Sequence, residues 1–156
     1  MALERMHRSA ADNTYLHKDF HGALSVGLLF LEKEYGADAV REYLRDFALH
    51  YHAPLRGALC TEGLAALRRY FEAIYSTEGA TFQITGDADT LLLTIAACPA
   101  LAHMRQCGHP ISPLFHETGR CVYAALCEDT PFAYERRAYD PATGASSHRF
   151  FRRTPS

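Results

Sequence analysis

Thr81-Phe82-Gln83-Ile84-Thr85-Gly86-Asp87-Ala88-Asp89-Thr90-Leu91-Leu92-Leu93-Thr94-Ile95-Ala96 is the stretch that decides the fold class. Residues 81–85 and 90–96 are β-prone runs, and the four residues between them are turn chemistry, so the segment predicts an antiparallel hairpin. Everything before it has helical spacing. Asp12 or Asn13 can cap a helix over 14–35, with Leu16, Phe20, Ala23, Gly27 and Phe30 on one stripe and Gly36 as its stop. A second helix is predicted over 38–50, because Pro54 forbids much continuation. A third is predicted over 62–75. Beyond the hairpin, Cys98-Pro99 leads into a short helix over 100–106, and Ser112-Pro113 can open another that runs to Cys127. Residues 132–139 and 146–152 flank Asp140-Pro141-Ala142-Thr143-Gly144, which reads as a second hairpin. The class is therefore α+β: three N-terminal helices, a hairpin, two helices and a C-terminal hairpin, with both hairpins in one antiparallel sheet. Residues 1–11 read as a loose lead-in and 12–153 as a single domain.

Composition narrows the partners. The 156 residues are 48% hydrophobic and 22% charged, with a formal net charge of -2, so no global basic field draws the chain to nucleic acid. Arg149, Arg152 and Arg153 interleave with Phe150 and Phe151, but strand alternation makes this an edge strand protected by charge. The longest apolar run is far short of the roughly twenty residues of a membrane span. The charged N-terminus lacks the apolar core of a signal peptide. A cytoplasmic protein with reduced thiols is expected, acting on a small molecule; a homo-oligomer is compatible with this reading.

Nine histidines and five cysteines supply the chemistry. His17 and His21, at i and i+4, share a helical face and can hold a divalent metal or exchange a proton; otherwise they simply end a core stripe. Of His50 and His52, His50 is the better inward candidate. Cys98 stands where a strand meets a helix, and free backbone N–H groups there lower a thiol pKa, which makes it a candidate nucleophile. Cys127 is a weaker candidate because Glu128 and Asp129 disfavour a thiolate. Cys60 and Cys121 read as structural. His103, His109 and His116 follow Cys98 and could each serve as its base, although His116 beside Glu117 reads equally as a surface residue.

Several of these stretches also resemble a family. Tyr15-Leu16-His17-Lys18-Asp19-Phe20-His21, Tyr35-Gly36, Cys98-Pro99-Ala100 and Pro110-Ile111-Ser112-Pro113-Leu114-Phe115 carry the likeness, together with the closing Tyr139-Asp140-Pro141-Ala142-Thr143-Gly144 and Phe150-Phe151-Arg152-Arg153. They are similar to small bacterial proteins grouped with L-2-amino-thiazoline-4-carboxylic acid hydrolase. The resemblance implies a hydrolase that opens a sulfur- and nitrogen-containing ring, with Cys98 and the His17/His21 pair as the matching positions of chemical potential. The alternative is a non-catalytic domain of vinyl-reductase-like architecture that senses a metal, haem or small ligand.

Overall fold

The computed structural model describes residues 16–154, with side chains described from Phe20 onward. The elements run α1 (Leu16–Tyr35), α2 (Ala37–Tyr51), α3 (Ala53–Glu62), α4 (Leu64–Thr77), β1 (Phe82–Gly86), β2 (Thr90–Ile95), α5 (Pro99–Cys107), α6 (Glu117–Leu126), β3 (Phe132–Tyr139) and β4 (Ser146–Arg152). The α+β class with both hairpins in one antiparallel sheet is what the pattern predicts. The predicted cap at Asp12 or Asn13 lies outside the described residues, as does the lead-in over 1–11.

Four helices precede the sheet where three were expected. Pro54 does end α2, but it also sits in the first turn of α3, where a missing N–H costs nothing. Gly63, at φ 70°, then breaks α3 from α4. Ser112-Pro113 opens only a run of turns, and α6 begins at Glu117.

The sheet order is β1-β2-β4-β3, all antiparallel. The two hairpins join through their second strands, so β4 is an interior strand. This corrects the edge-strand reading of 146–152. The arginines instead lie along pairing rows: Arg149 meets Glu135 at 3.3 Å and Arg152 meets Asp89 at 2.5 Å.

Alternation turns Leu91, Leu93 and Ile95 of β2 towards the helices, opposite Phe150, His148 and Ser146 of β4. On β3, Arg136 pairs with His148. The register then slips between Arg136 and Ala138, so that Tyr139 pairs with Ser146. Without that bulge, residues 136 and 139 would face opposite ways; with it, both join the inner face. Two buried clusters hold the layers together. Leu67, Phe71, Leu93, Phe132 and Phe150 belong to one, between the sheet and α4. Leu28, Val40, Leu44, Leu101 and Met104 belong to the other, among α1, α2 and α5. No helix among the described residues is long and apolar enough to cross a membrane.

Candidate functional site

Between these clusters the helices do not close fully on the sheet. They leave a cavity of about 650 Å³ lined from α1, α2, α4, α5, α6, β2, β3 and β4. That volume lies within the range of small-molecule sites, about 300–1,000 Å³.

His21 of α1 reaches the cavity, with its Nε2 3.9 Å from Oε1 of Glu78. The Glu78 side chain is only 8% exposed and stands at the C-cap of α4. A carboxylate placed beside an imidazole compensates a positive charge formed on the ring, an arrangement suited to general acid–base chemistry. Phe20 and Phe115 pack edge-on against the His21 ring. The His17 side chain lies outside the described residues, so the predicted pair is described for His21 alone. Among the described residues, no group of three or more His, Cys, Asp or Glu is placed to hold a metal ion.

Cys98 also lines the cavity, as the N-cap of α5, and its Sγ accepts the Leu101 N–H at 3.5 Å. The Cys98 N–H donates to the Thr143 carbonyl at 3.0 Å, binding the second hairpin turn to the start of α5. Gly144, at φ 70°, lies so close that a Cβ there would collide with Cys98. Burial pushes the Cys98 thiol up, the N–H groups of Leu101 and Ala100 oppose this, and Glu78 adds to the rise. The net shift is upward, opposite to the helix-terminus expectation. Desolvation outweighs two N–H dipoles, and the resting group is a thiol.

The remaining predicted candidates separate. Cys127 is buried in the sheet-side core, its thiol pushed up to about 12 by burial, and it does not line the cavity. Cys121 is buried against Glu117, and Cys60 is exposed beside a different groove. Cys107 is exposed, with its Sγ 3.7 Å from His103 Nε2. His50 is exposed with Nδ1 2.7 Å from the Asp46 carbonyl, whereas His52 is buried and lines the cavity. The preference for His50 is thus reversed, because α2 runs to Tyr51 and its C-cap His52 packs inward against Tyr51 and Tyr70. His116, read as a candidate base or a surface residue, is half-buried. It lines the cavity, its ring lies tilted against Tyr139, and its buried Nδ1 has no hydrogen-bond partner among the described residues.

The sequence reading missed the sheet's own contribution. His148, 3% exposed, holds Ser146 Oγ on Nε2 and the Tyr134 hydroxyl on Nδ1, both at 2.9 Å. Burial, with a smaller push from Arg136, holds its pKa down at about 4, so the ring is neutral near pH 7. Ser146 and His148 both line the cavity, and Ser-x-His at a two-residue spacing on a strand was the available signal. Above them the hydroxyls of Tyr75 and Tyr123 bond to each other at 2.7 Å, and burial raises both phenols. Arg136 donates to the His116 carbonyl at 3.0 Å and lies over the Tyr139 ring.

Compared with known proteins, the chain matches no family model, and no curated protein is significantly similar to it.

Proposed function

We propose that the protein is a hydrolase that binds a small molecule in this cavity and opens a sulfur- and nitrogen-containing ring. The observation that carries the reading is the His21–Glu78 pair on the wall of a cavity that also holds Cys98. In a thiazoline-like ring the C=N carbon becomes electrophilic once the nitrogen is protonated. His21 takes a proton from water as its oxygen adds to that carbon, and Glu78 compensates the imidazolium. The ring C–S bond then breaks as the adduct's hydroxyl proton leaves to solvent, balancing the one the ring nitrogen took from solvent. His21 returns its proton to the departing sulfur, and an amide with a free thiol results. Water is the favoured nucleophile because burial keeps Cys98 protonated.

Thiol release from a thiazoline, followed with a thiol-specific dye, tests the reading. His21→Ala and Glu78→Gln are expected to lower turnover at least about a hundredfold, in line with a lost acid–base group. Cys98→Ser is expected to keep most of it. Loss of turnover in Cys98→Ser alone would make the thiol the nucleophile. Full turnover in all three variants would end the proposal.

A second reading, a sensor that binds without turnover, is supported by the same raised Cys98 thiol and by the neutral His148. Stoichiometric binding with nothing consumed would favour it.

A further inference from the structure

We infer that the molecule taken by this cavity is mostly apolar, larger than a single five-membered ring, and hydrogen-bonded by the Ser146 hydroxyl. The inference rests on the reading of the cavity as the substrate site.

Size is the first ground. About 650 Å³ is the space of a drug-sized ligand and far exceeds what one small ring fills. The wall is the second. Phe20, Leu24, Phe47, Phe71, Ile74 and Phe115 supply apolar surface from three helices and one loop. Several of the polar groups among them are spent on one another. The Tyr75 and Tyr123 hydroxyls are mutually bonded, Glu78 faces His21, and Arg136 donates to a backbone carbonyl. A ligand carrying several polar groups would leave them without partners there, at the cost of their desolvation.

The groups that remain for an occupant include His116 Nδ1, unpartnered among the described residues, and Ser146, and Ser146 is the one whose position a buried ring fixes. The Tyr134–His148–Ser146 chain runs in one of two directions. When Tyr134 donates to Nδ1, Nε2–H donates to Ser146 and the serine O–H is left to donate onward. When Nδ1–H donates to Tyr134, Ser146 donates to Nε2 and its oxygen is left to accept. Either direction leaves one function of Ser146 for the occupant, while the buried ring behind it fixes where the hydroxyl stands. A neutral donor or acceptor fits this end.

The test is a series of 2-alkylthiazolines from methyl to decyl. Affinity is measured by displacement of 1-anilinonaphthalene-8-sulfonate, and turnover by thiol release. Affinity is expected to rise with each methylene, up to about fourfold per step, and then to level off when the cavity is full. Ser146→Ala is expected to weaken every member about three- to tenfold while leaving the increment per methylene unchanged. Val122→Phe, which fills part of the cavity from α6, is expected to bring the levelling-off to a shorter chain. It keeps the question answerable if the serine variant folds poorly.

Equal affinity for the methyl and decyl members overturns the inference, as does unchanged affinity in Ser146→Ala. Chain-length-dependent binding with no thiol release sinks the hydrolase reading and leaves this inference standing. Thiol release with no gain from chain length does the reverse.

Discussion

His148→Gln is the substitution whose consequence can be worked furthest. The ring is buried on the inner face of the sheet and its pKa is held down at about 4, against 6.5 for an ordinary histidine. Because the unfolded chain binds this proton more readily, the stabilisation is fully present above pH 6.5 and is lost as the pH falls towards 4. The whole shift is about 2.5 units, or about 3 kcal/mol at 1.36 kcal/mol per unit. Between pH 7 and pH 5 the loss assigned to this one group is about 2 kcal/mol. His116, also held down chiefly by burial, adds a loss of the same sign. The chain has no tryptophan, so urea unfolding is best followed by far-UV circular dichroism at pH 7 and pH 5. Glutamine can bond to Ser146 and Tyr134 but cannot titrate. The variant is expected to be less stable at pH 7 and to lose about 2 kcal/mol less than the parent on going to pH 5. An unchanged difference between the two pH values would refute the reasoning, because the acid sensitivity would then lie elsewhere.

Three further outcomes are expected. Ser25→Ala should cost about 1–3 kcal/mol in urea unfolding, since Ser25 Oγ donates to the Pro110 carbonyl and accepts the buried Ser112 N–H, both at 2.8 Å. A cost near zero would mean that the loop before α6 is held by something else. Tyr75→Phe and Tyr123→Phe should each destabilise by about 1 kcal/mol by orphaning the partner hydroxyl. The double variant should cost clearly less than their sum in a double-mutant cycle, and strict additivity would contradict the bond. Iodoacetamide at pH 8, read by peptide mass, should modify the exposed Cys60 and Cys107 well before Cys98. If Cys98 reacts first, the dipole of α5 dominates its burial after all.

The hairpins were legible because local chemistry alone specifies them. Asp87 accepts the N–H groups of Asp89 and Thr90 at 2.9 Å, and Asp140 accepts the Ala142 N–H at the same distance, so each turn folds on its own side chain. How the hairpins pair was not legible. Nothing local says that β4 lies against β2, and so the interior position of 146–152 was missed. The same divide runs through the site. His21 and Cys98 could be singled out by residue type and position along an element. Glu78 reaches His21 across fifty-seven positions of sequence, and the placement of Tyr139 beside Ser146 depends on a bulge that no single-strand pattern announces. The Cys98 expectation went astray for a different reason. The sequence showed the N–H groups that lower a thiol pKa, but not the walls that raise it further.

One physical cause ties the site together. Burial raises the Cys98 thiol and the phenols of Tyr70, Tyr75, Tyr123 and Tyr134, and lowers His148. Each shift runs towards the uncharged form, as desolvation requires. Burial that disfavours charge at these groups suits an apolar occupant, but it also makes any step that creates charge costly unless a counter-charge is already in place. Glu78 beside His21 is where the cavity wall provides one for a histidine. A proton moved onto His21 forms an ion pair, whereas a proton moved onto His148 leaves a buried cation facing Arg136. If chemistry occurs in this cavity, the transferred proton therefore belongs on α1, and the sheet-borne Ser146–His148–Tyr134 chain orients the occupant without ionising.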